Sequence, residues 1–369
     1  MNNVKVERRV VKKKNKKIKL FFTILIILIL LSITVFSILY VLKDEKKPIK
    51  KKKKKEIVEV KKLKIFDEDS NKRPIALMYD NNVGNSSHAG LQDAYLTYEA
   101  IVEGGLTRIM AIFKDKNLEL MGPVRSSRHY FLDYALESDS IYTHYGWSTY
   151  AEADIKAMGV NNINGLYDSS VFWRDTSISP PHNVFTTTDR IYNFAKEKGY
   201  NVLSNNWKLF NYDVDEVNLN KEIKEENKEV DYIPAYNISM NYSYSQNRSY
   251  IYDNVEKTYK RFMNNDYHID KLTTKQLTYK NIIIIKVANV TLDSDGRQDL
   301  TTTGVGDGYF ITNGFAKEIT WNKPSRSEKT KYMYKDGSEV ILNDGNTFIQ
   351  IVPIDQNIVI EDNKEGGVQ

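Results

Sequence analysis

Residues 121–135, MGPVRSSRHYFLDYA, place side chains together that could hold an anion. Arg125, Ser126, Ser127 and Arg128 stand directly before a run of residues that predicts a helix. The planar guanidinium of arginine can donate two parallel hydrogen bonds to a phosphate or carboxylate. A helix N-terminus adds free N–H groups and a partial positive charge. The stretch therefore predicts an anion-binding site. The alternative is that both arginines pair with carboxylates of the protein itself.

A second group of polar residues lies at the ends of predicted strands and in one loop. Asp80 and Asn81 end the first predicted strand, His144 ends a later one, and His182 and Asn183 lie in the loop SPPHNV. Ligands of open α/β sheets bind at the carboxyl ends of the strands, and histidine exchanges protons near neutral pH. These residues are therefore candidate ligand-binding residues. The alternative is that each histidine is a structural hydrogen-bonding residue.

Other polar motifs support weaker hypotheses. Arg174 in FWRD is either a binding edge for a sugar ring or peptide, or part of a packed corner, which we favour. Glu99, Glu103 and Arg108 are interpreted as structural ion-pair residues near a hairpin turn. No GxSxG motif accompanies the serines, so no catalytic residue is assigned. No closely spaced histidine pair of the zinc-binding kind occurs, so neither a metal nor a cofactor is predicted.

The strands and helices predicted around these residues indicate a layered α/β domain over residues 65–215. PIALMYD reads as a buried strand, and TYEAIVEGGLTRIMAIFK as two strands that meet at Gly104-Gly105. RHYFLDYALES predicts a helix that Ser126 or Ser127 can cap, and two further helices follow. Because strands alternate with helices and one pair is antiparallel, the sheet is expected to be mixed.

Residues 238–369 predict a second, mostly antiparallel β domain, after a charged linker at 216–237. Aromatic-rich strands alternate with turns, and Asn313-Gly314 and Asp336-Gly337 suit two-residue hairpin turns, which require positive φ. The fold class is therefore α+β or α/β, with two domains.

An N-terminal membrane anchor is predicted at residues 20–42, which contain no charge. A bilayer core requires roughly 20 apolar residues in a helix, and the run ends without the small-residue cleavage site of a signal peptide. Residues 1–19 then form a basic cytoplasmic tail and residues 43–64 a lysine-rich stalk. A short basic tail inside and a large domain outside is the simpler orientation, although both flanks are basic.

Charge and cysteine content limit the function further. Residues 1–64 hold 21 basic and 5 acidic residues, and the rest of the chain holds 32 basic and 43 acidic ones. Anionic lipid headgroups would attract the basic flanks, whereas the acidic folded part argues against nucleic-acid binding. The chain has no cysteine, which excludes disulfides and a lipidated N-terminal cysteine.

Several motifs together resemble the YerB-like family of bacterial envelope lipoproteins, whose two domains have no assigned function. The resemblance covers roughly residues 70–360 and rests on RPIALMYDN, YEAIVEGGLTR, GPVRSSRHYFLDYA, HYG, PPHNVFTT, YDNVEKTYKRF, DSDGRQDL, GDGYFITNG and TFIQIVP. It implies an extracytoplasmic protein on a membrane anchor. This chain departs from the lipoprotein members because a helix replaces the lipidated cysteine.

A looser resemblance relates the order of elements around PVRSSR to the LytR-CpsA-Psr domain. Those membrane-anchored enzymes transfer polymers from a diphosphate lipid to the cell wall, with arginines around the phosphates. No acidic metal-binding cluster like theirs is identified here.

Three hypotheses follow for function. The first is a membrane-anchored extracytoplasmic protein that binds an anionic wall or lipid-linked component or an envelope partner protein. The second is a transferase or hydrolase acting on a lipid-linked or cell-wall polymer. The third is a scaffold that docks onto an envelope complex.

Overall fold

A computed structural model describes residues 4–44, 61–220 and 231–362 of the chain. The N-terminal unit contains helix α1 (Val4–Asp44), of which Asn15–Lys43 is long and apolar enough to cross a membrane, with a mean hydropathy of 3.0 over an 18-residue window. This stretch includes the predicted anchor at 20–42, and α1 also takes in most of the predicted basic tail. Most of the predicted stalk and the central part of the predicted linker lie outside the described residues.

The described residues from Lys61 onward belong to one compact unit. Its helices are α2 (His129–Glu137), α3 (Thr149–Ala157) and α4 (Thr188–Glu197). Its strands are β1 (Ile75–Asp80), β2 (Leu96–Ile101), β3 (Thr107–Phe113), β4 (Ile141–His144), β5 (Asn162–Asn164), β6 (Trp173–Arg174), β7 (Val184–Phe185), β8 (Asn211–Asp213), β9 (Ile233–Pro234), β10 (Asn237–Ser243), β11 (Gln246–Asp253), β12 (Thr258–Met263), β13 (Asp266–Tyr267), β14 (Thr278–Tyr279), β15 (Asn281–Val287), β16 (Asn289–Thr291), β17 (Gln298–Leu300), β18 (Gly304–Thr312), β19 (Phe315–Lys323), β20 (Lys331–Tyr334), β21 (Ile341–Asn343), β22 (Thr347–Pro353) and β23 (Ile358–Glu361).

The predicted fold class is confirmed, with a mixed α/β first part and a mostly antiparallel second part. An eleven-stranded sheet runs β20-β19-β18-β15-β22-β2-β3-β1-β4-β5, and β9 pairs with β19. Strands β2 and β22 pair in parallel from Leu96 opposite Thr347 to Ala100 opposite Ile351. This pairing joins strands of both predicted domains into one sheet. All residues of β1, β2 and β22 are buried, as expected for central strands covered on both faces.

A second, antiparallel sheet lies over the middle of the first. Its order is β13-β12-β11-β10-β23, with β14 also paired to β12. Burial along β10 mostly alternates, which is typical of a strand with one covered face. The hydroxyl of Tyr242, on β10, donates to the carbonyl of Glu99 and contacts Oε1 of Gln350 at 2.7 Å. The covered face of the second sheet therefore contacts β2 and β22.

Two predicted hairpin turns are confirmed and a third is wrong in its type. Gly104-Gly105 connects the antiparallel strands β2 and β3, and Asn313 (φ 50°) and Gly314 (φ 81°) form a two-residue turn between β18 and β19. Of the third pair, only Gly337 has positive φ. There the backbone N–H of Tyr334 donates to the carbonyl of Ser338, so three residues form the loop. A three-residue loop needs positive φ only at its last position, which glycine provides.

Candidate functional site

Asp80, the last residue of β1, is the centre of the candidate site because several contacts hold it in place. Its backbone N–H donates to the carbonyl of Pro123 (2.8 Å), and its carbonyl accepts from Nε2 of His88 (2.7 Å). Its Oδ1 accepts from the backbone N–H of Asn82 (3.0 Å). The side chain is only 2% exposed. The carboxylate is therefore fixed before any ligand binds.

The other carboxylate oxygen, Oδ2, contacts two of the predicted site residues. Nδ1 of His182 lies 2.6 Å from it and Nε of Arg125 lies 3.0 Å from it. The Arg125 contact is an ion pair without hydrogen-bond geometry, since Nε has no hydrogen-bond partner. We call Asp80, Arg125 and His182 the Asp80 triad. A carboxylate can only accept, so Nδ1 of a neutral His182 carries the proton and Nε2 carries the lone pair.

The Asp80 triad keeps hydrogen-bonding capacity that the protein does not use. Within the described part of the chain, no hydrogen bond engages Nε2 of His182 or either Nη of Arg125. The two side chains are 28% and 25% exposed. His182 also borders an open cavity of about 370 Å³. The cavity is lined by Asn82, Val83, Gly84, Ser87, Ile178, Ser179 and His182.

Backbone pairing explains why Arg125 and His182 meet, although they are far apart in sequence. The backbone N–H of Val124 donates to the carbonyl of Val184 (2.7 Å), so the segment before Arg125 runs beside β7. Gly122 allows this approach: its φ is 141°, and a Cβ there would lie 2.7 Å from the Val184 carbonyl oxygen. The SPPHNV loop immediately precedes β7 and carries His182 to the same place.

Arg128 is occupied by a carboxylate of the protein itself. Its Nε and Nη2 donate to the two oxygens of Glu103 at 2.5 and 2.7 Å, and its Nη1 donates to the carbonyl of Ser127. The alternative of internal pairing therefore describes Arg128 fully. Arg125 pairs with Asp80 and retains two free Nη groups.

The serines do not cap the helix, and that prediction is wrong. Helix α2 begins at His129, and Arg128 stands at its cap position without a side-chain cap bond. The hydroxyl of Ser127 instead contacts that of Tyr142 (2.7 Å), and the hydroxyl of Ser126 donates to the carbonyl of Tyr145 (3.0 Å). Both hydroxyls hydrogen-bond to residues distant in sequence, and neither contacts the Asp80 triad.

The side chains of His144 and Asn81 also contact groups outside the Asp80 triad. His144 is fully buried, and its ring nitrogens contact the carbonyl of Gly146 (2.8 Å) and Oδ1 of Asn162 (3.2 Å). Burial lowers the pKa of His144 to about 4, despite the opposing effect of these hydrogen bonds. The amide of Asn81 donates to Oε1 of Glu99 (2.8 Å). The structure therefore does not bring these two residues into the Asp80 triad.

Arg174 and Asn183 contact each other beside the site. Nη1 of Arg174 donates to Oδ1 of Asn183 (2.7 Å), and the guanidinium lies 5.0 Å from the ring centre of Tyr145. The amide of Asn183 donates to the carbonyl of Asp175 (3.1 Å). Arg174 itself remains exposed, so these contacts leave open both the packed corner and the binding edge.

A buried charged group behind the site was missed by sequence reasoning. Oε1 of Glu99 accepts from Nε of Arg248 (2.6 Å), and its Oε2 accepts from Nη2 of Arg261 (2.5 Å). All three side chains are fully buried. Burial by itself would raise the pKa of Glu99, but the charges of the two arginines lower it below the ordinary value. We call Glu99, Arg248 and Arg261 the Glu99 network. The arginines lie 149 and 162 positions along the chain from Glu99, and no local pattern signals such a pairing.

A chain of hydrogen bonds links the Glu99 network to Asp80. Nη1 of Arg261 contacts Nδ1 of His268, and Nε2 of His268 lies 2.8 Å from Nδ1 of His88. Because arginine can only donate, neutral His268 donates through Nε2 to His88, which in turn donates through Nε2 to the carbonyl of Asp80. Burial lowers the pKa of His88 to about 4 and that of His268 well below its ordinary value, so both rings are neutral near neutral pH.

The structure corrects the ion pairs that were predicted among Glu99, Glu103 and Arg108. Glu99 pairs with the two network arginines and Glu103 with Arg128, whereas Nη1 of Arg108 donates to the carbonyl of Ser126 (2.7 Å). Burial, followed by the charge of Arg128, lowers the pKa of Arg108 to about 9. Arg108 also interacts with the charges of Asp80, Glu103 and Arg125. Three guanidiniums thus face two carboxylates around the Asp80 triad, which leaves one positive charge in excess.

Metal ligands are a separate question. In the parts of the chain that the structure describes, no group of three or more His, Asp or Glu side chains could hold a metal ion.

Comparisons with known proteins relate the chain to proteins of unassigned role. Residues 63–201 match a family model described as "Protein of unknown function (DUF3048) N-terminal domain", and residues 238–349 match its C-terminal domain. The chain is 30% identical over 295 residues to "Putative lipoprotein YerB" of Bacillus subtilis, covering 79% of this chain and 84% of that protein. The crystal structure of YerB from Bacillus subtilis is similar with a TM-score of 0.66 and 31% identity, covering 78% of this chain and 94% of that one. These comparisons give no support to the LytR-CpsA-Psr resemblance.

Proposed function

The chain belongs to the YerB-like DUF3048 family, and we propose that it is a single-pass membrane protein that binds an anionic component of the cell envelope outside the cell. In this proposal α1 is the anchor, the basic flanks contact anionic lipid headgroups, and the Asp80 triad holds the anion. The ligand is a wall polymer or a lipid-linked intermediate.

Two observations support the membrane location. The apolar stretch Asn15–Lys43 has 29 residues, and a helix rises about 1.5 Å per residue, so it exceeds a hydrocarbon core of about 30 Å. The relative from Bacillus subtilis is named as a lipoprotein. A helix and a lipid chain are two ways to attach a folded domain to the same membrane surface.

The observation that carries the binding proposal is the unused hydrogen-bonding capacity of the Arg125 guanidinium. Neither Nη of its planar fork has a hydrogen-bond partner among the described residues, and Arg108, Arg125 and Arg128 exceed Asp80 and Glu103 by one positive charge. A phosphate or carboxylate would supply both the missing acceptors and the missing negative charge. In a folded part that is acidic overall, this local excess would select the position at which an anion binds.

Titration of the full chain in detergent with oligomeric poly(glycerol phosphate) tests this proposal. Arg125→Ala should weaken binding at least tenfold, because about 1.4 kcal/mol separates each tenfold step and hydrogen bonds to charged groups contribute about 1.5–3 kcal/mol. Arg125→Lys should bind with intermediate affinity, since it keeps the charge but loses the fork. Poly-glutamate and neutral dextran distinguish phosphate from carboxylate binding and from binding without charge.

Arg297→Ala is the matched control. Arg297 is as exposed as Arg125 (27% against 25%) and also pairs with an aspartate, Asp293, but in the described residues it forms no hydrogen bond or ion pair with the Asp80 triad. Its loss should leave the affinity for poly(glycerol phosphate) unchanged. Equal affinities of the Arg125→Ala and Arg297→Ala variants would contradict the proposal.

A further inference from the structure

His182 has the geometry of a general base as well as that of a ligand. The buried Asp80 carboxylate fixes its ring through Nδ1 at 2.6 Å, and Nε2 has no partner in the described residues. A carboxylate that orients a histidine in this way sets its tautomer and stabilises the imidazolium that forms when Nε2 takes a proton. The open cavity beside the ring has room for water and a substrate.

Asp80 is held by more contacts than a surface ion pair requires. The backbone on both sides of its side chain is held, by the carbonyl of Pro123 and by His88. His88 is in turn held by His268 and Arg261. A proton acceptor works best when its orientation is set in advance, because no reorganisation is then required during reaction.

Arg125 indicates the substrate class. Arg125 and His182 contact the same oxygen of Asp80, so they are neighbouring side chains, and a substrate that extends from the cavity at His182 to Arg125 could contact both. A phosphodiester has two non-bridging oxygens, which match the two parallel donors of the fork. A carboxylic ester offers one carbonyl oxygen and would leave one donor unpaired.

From these contacts, and resting on the proposed binding function, we propose that the Asp80–His182 pair activates water to hydrolyse a phosphodiester held by Arg125. The water oxygen forms a bond to phosphorus while its proton moves to Nε2 of His182. The bond between phosphorus and the leaving oxygen breaks on the opposite side of the phosphorus; the leaving oxygen takes a proton from solvent water, and the imidazolium releases its proton to solvent. The products are a phosphomonoester and an alcohol, and His182 regains its starting form.

The test uses bis(p-nitrophenyl) phosphate as the probe, with the full chain in detergent and release of p-nitrophenol as the readout. His182→Gly should lower kcat by at least about 100-fold, the usual contribution of a general base, and leave KM within a few-fold. Added imidazole should restore turnover to His182→Gly but not to Arg125→Ala, which should raise KM. Arg297→Ala should behave as the unchanged protein does.

Asp80 acts through His182, so it is a positioning residue. Asp80→Asn should lower kcat, because the ring loses its orientation and keeps its contact with substrate; a change in KM would report on Arg125, which loses its ion pair with Asp80 in the same variant. Circular dichroism of each variant establishes that it is folded. If Asp80→Asn does not fold, His182→Gly still decides the question, since His182 lies in a partly exposed loop.

The outcomes separate this inference from the proposed function. Equal turnover by the unchanged protein and His182→Gly, or no turnover by either, overturns the hydrolytic step, while Arg125-dependent binding of poly(glycerol phosphate) would still support the binding function. Binding that does not depend on Arg125 would overturn both.

Discussion

Replacing Glu99 with glutamine should destabilise the protein strongly, because this side chain balances two buried positive charges. Oε1 of Glu99 accepts from Arg248, Asn81 and Thr107 at 2.6, 2.8 and 2.7 Å, and Oε2 accepts from Arg261 at 2.5 Å. Glutamine has nearly the same shape, but its NH2 group must face at least one of these donors. The substitution therefore removes the negative charge and also places a hydrogen-bond donor opposite another donor.

The expected loss is about 3–5 kcal/mol, the usual cost of removing one partner of a buried ion pair. Folded domains are stable by about 5–15 kcal/mol, so this is a large share of the total. The high cost arises because Arg248 and Arg261 have no exposed surface through which water could stabilise their charges.

Urea unfolding of the full chain in detergent, followed by tryptophan fluorescence, measures this effect. The matched control is Glu152→Gln, which breaks an exposed pair with Lys156 on α3 and should cost no more than about 0.5 kcal/mol. If Glu99→Gln loses less than about 1 kcal/mol, the Glu99 network does not hold two compensated charges and the reasoning is refuted.

Three further predictions concern pH, packing and the anchor. Burial lowers the pKa of His88 and of His144 to about 4 and that of His268 well below its ordinary value, so below about pH 6.5 the unfolded chain binds protons that the folded one does not. Stability should be full above about pH 6.5 and decrease towards pH 4, by up to about 1.4 kcal/mol per pH unit for each histidine, which urea unfolding at a series of pH values would reveal. Gly122→Ala should lower the thermal midpoint more than Gly159→Ala, since both glycines have positive φ but only Gly122 would bring Cβ against another backbone atom; equal midpoints would contradict this. Deletion of residues 1–60 should move the protein from the membrane to the soluble fraction, with loss of the helical circular dichroism signal of α1 and retention of the strand signal of the remaining unit; retention in the membrane would show that another part of the chain binds it.

The local elements were predictable because each depends on residues close together in sequence. The uncharged run at 20–42 predicts a membrane-length helix whatever surrounds it, and α1 includes that run. Asn313-Gly314 predicts a two-residue turn because both residues accept positive φ, and the turn is present. The burial of residues 75–79 in β1 follows from their unbroken run of apolar side chains, whereas the burial of Asp80 does not.

The choice of partners between charged side chains was decided by the tertiary structure. Sequence reasoning placed Arg125 and Arg128 in one anion site, yet Arg128 pairs with Glu103 while Arg125 keeps free donors beside Asp80. It also grouped His144 with His182, although only His182 reaches Asp80, 102 positions away.

The sequence by itself determined the apolar N-terminal helix, the kinds of element and the fold class. The parallel pairing of β2 with β22, the Asp80 triad and the Glu99 network were decided only in three dimensions. The physical reason is that helices and turns follow from backbone preferences over a few residues. An ion pair depends instead on which distant strands become neighbours, and a sequence pattern does not encode that distance.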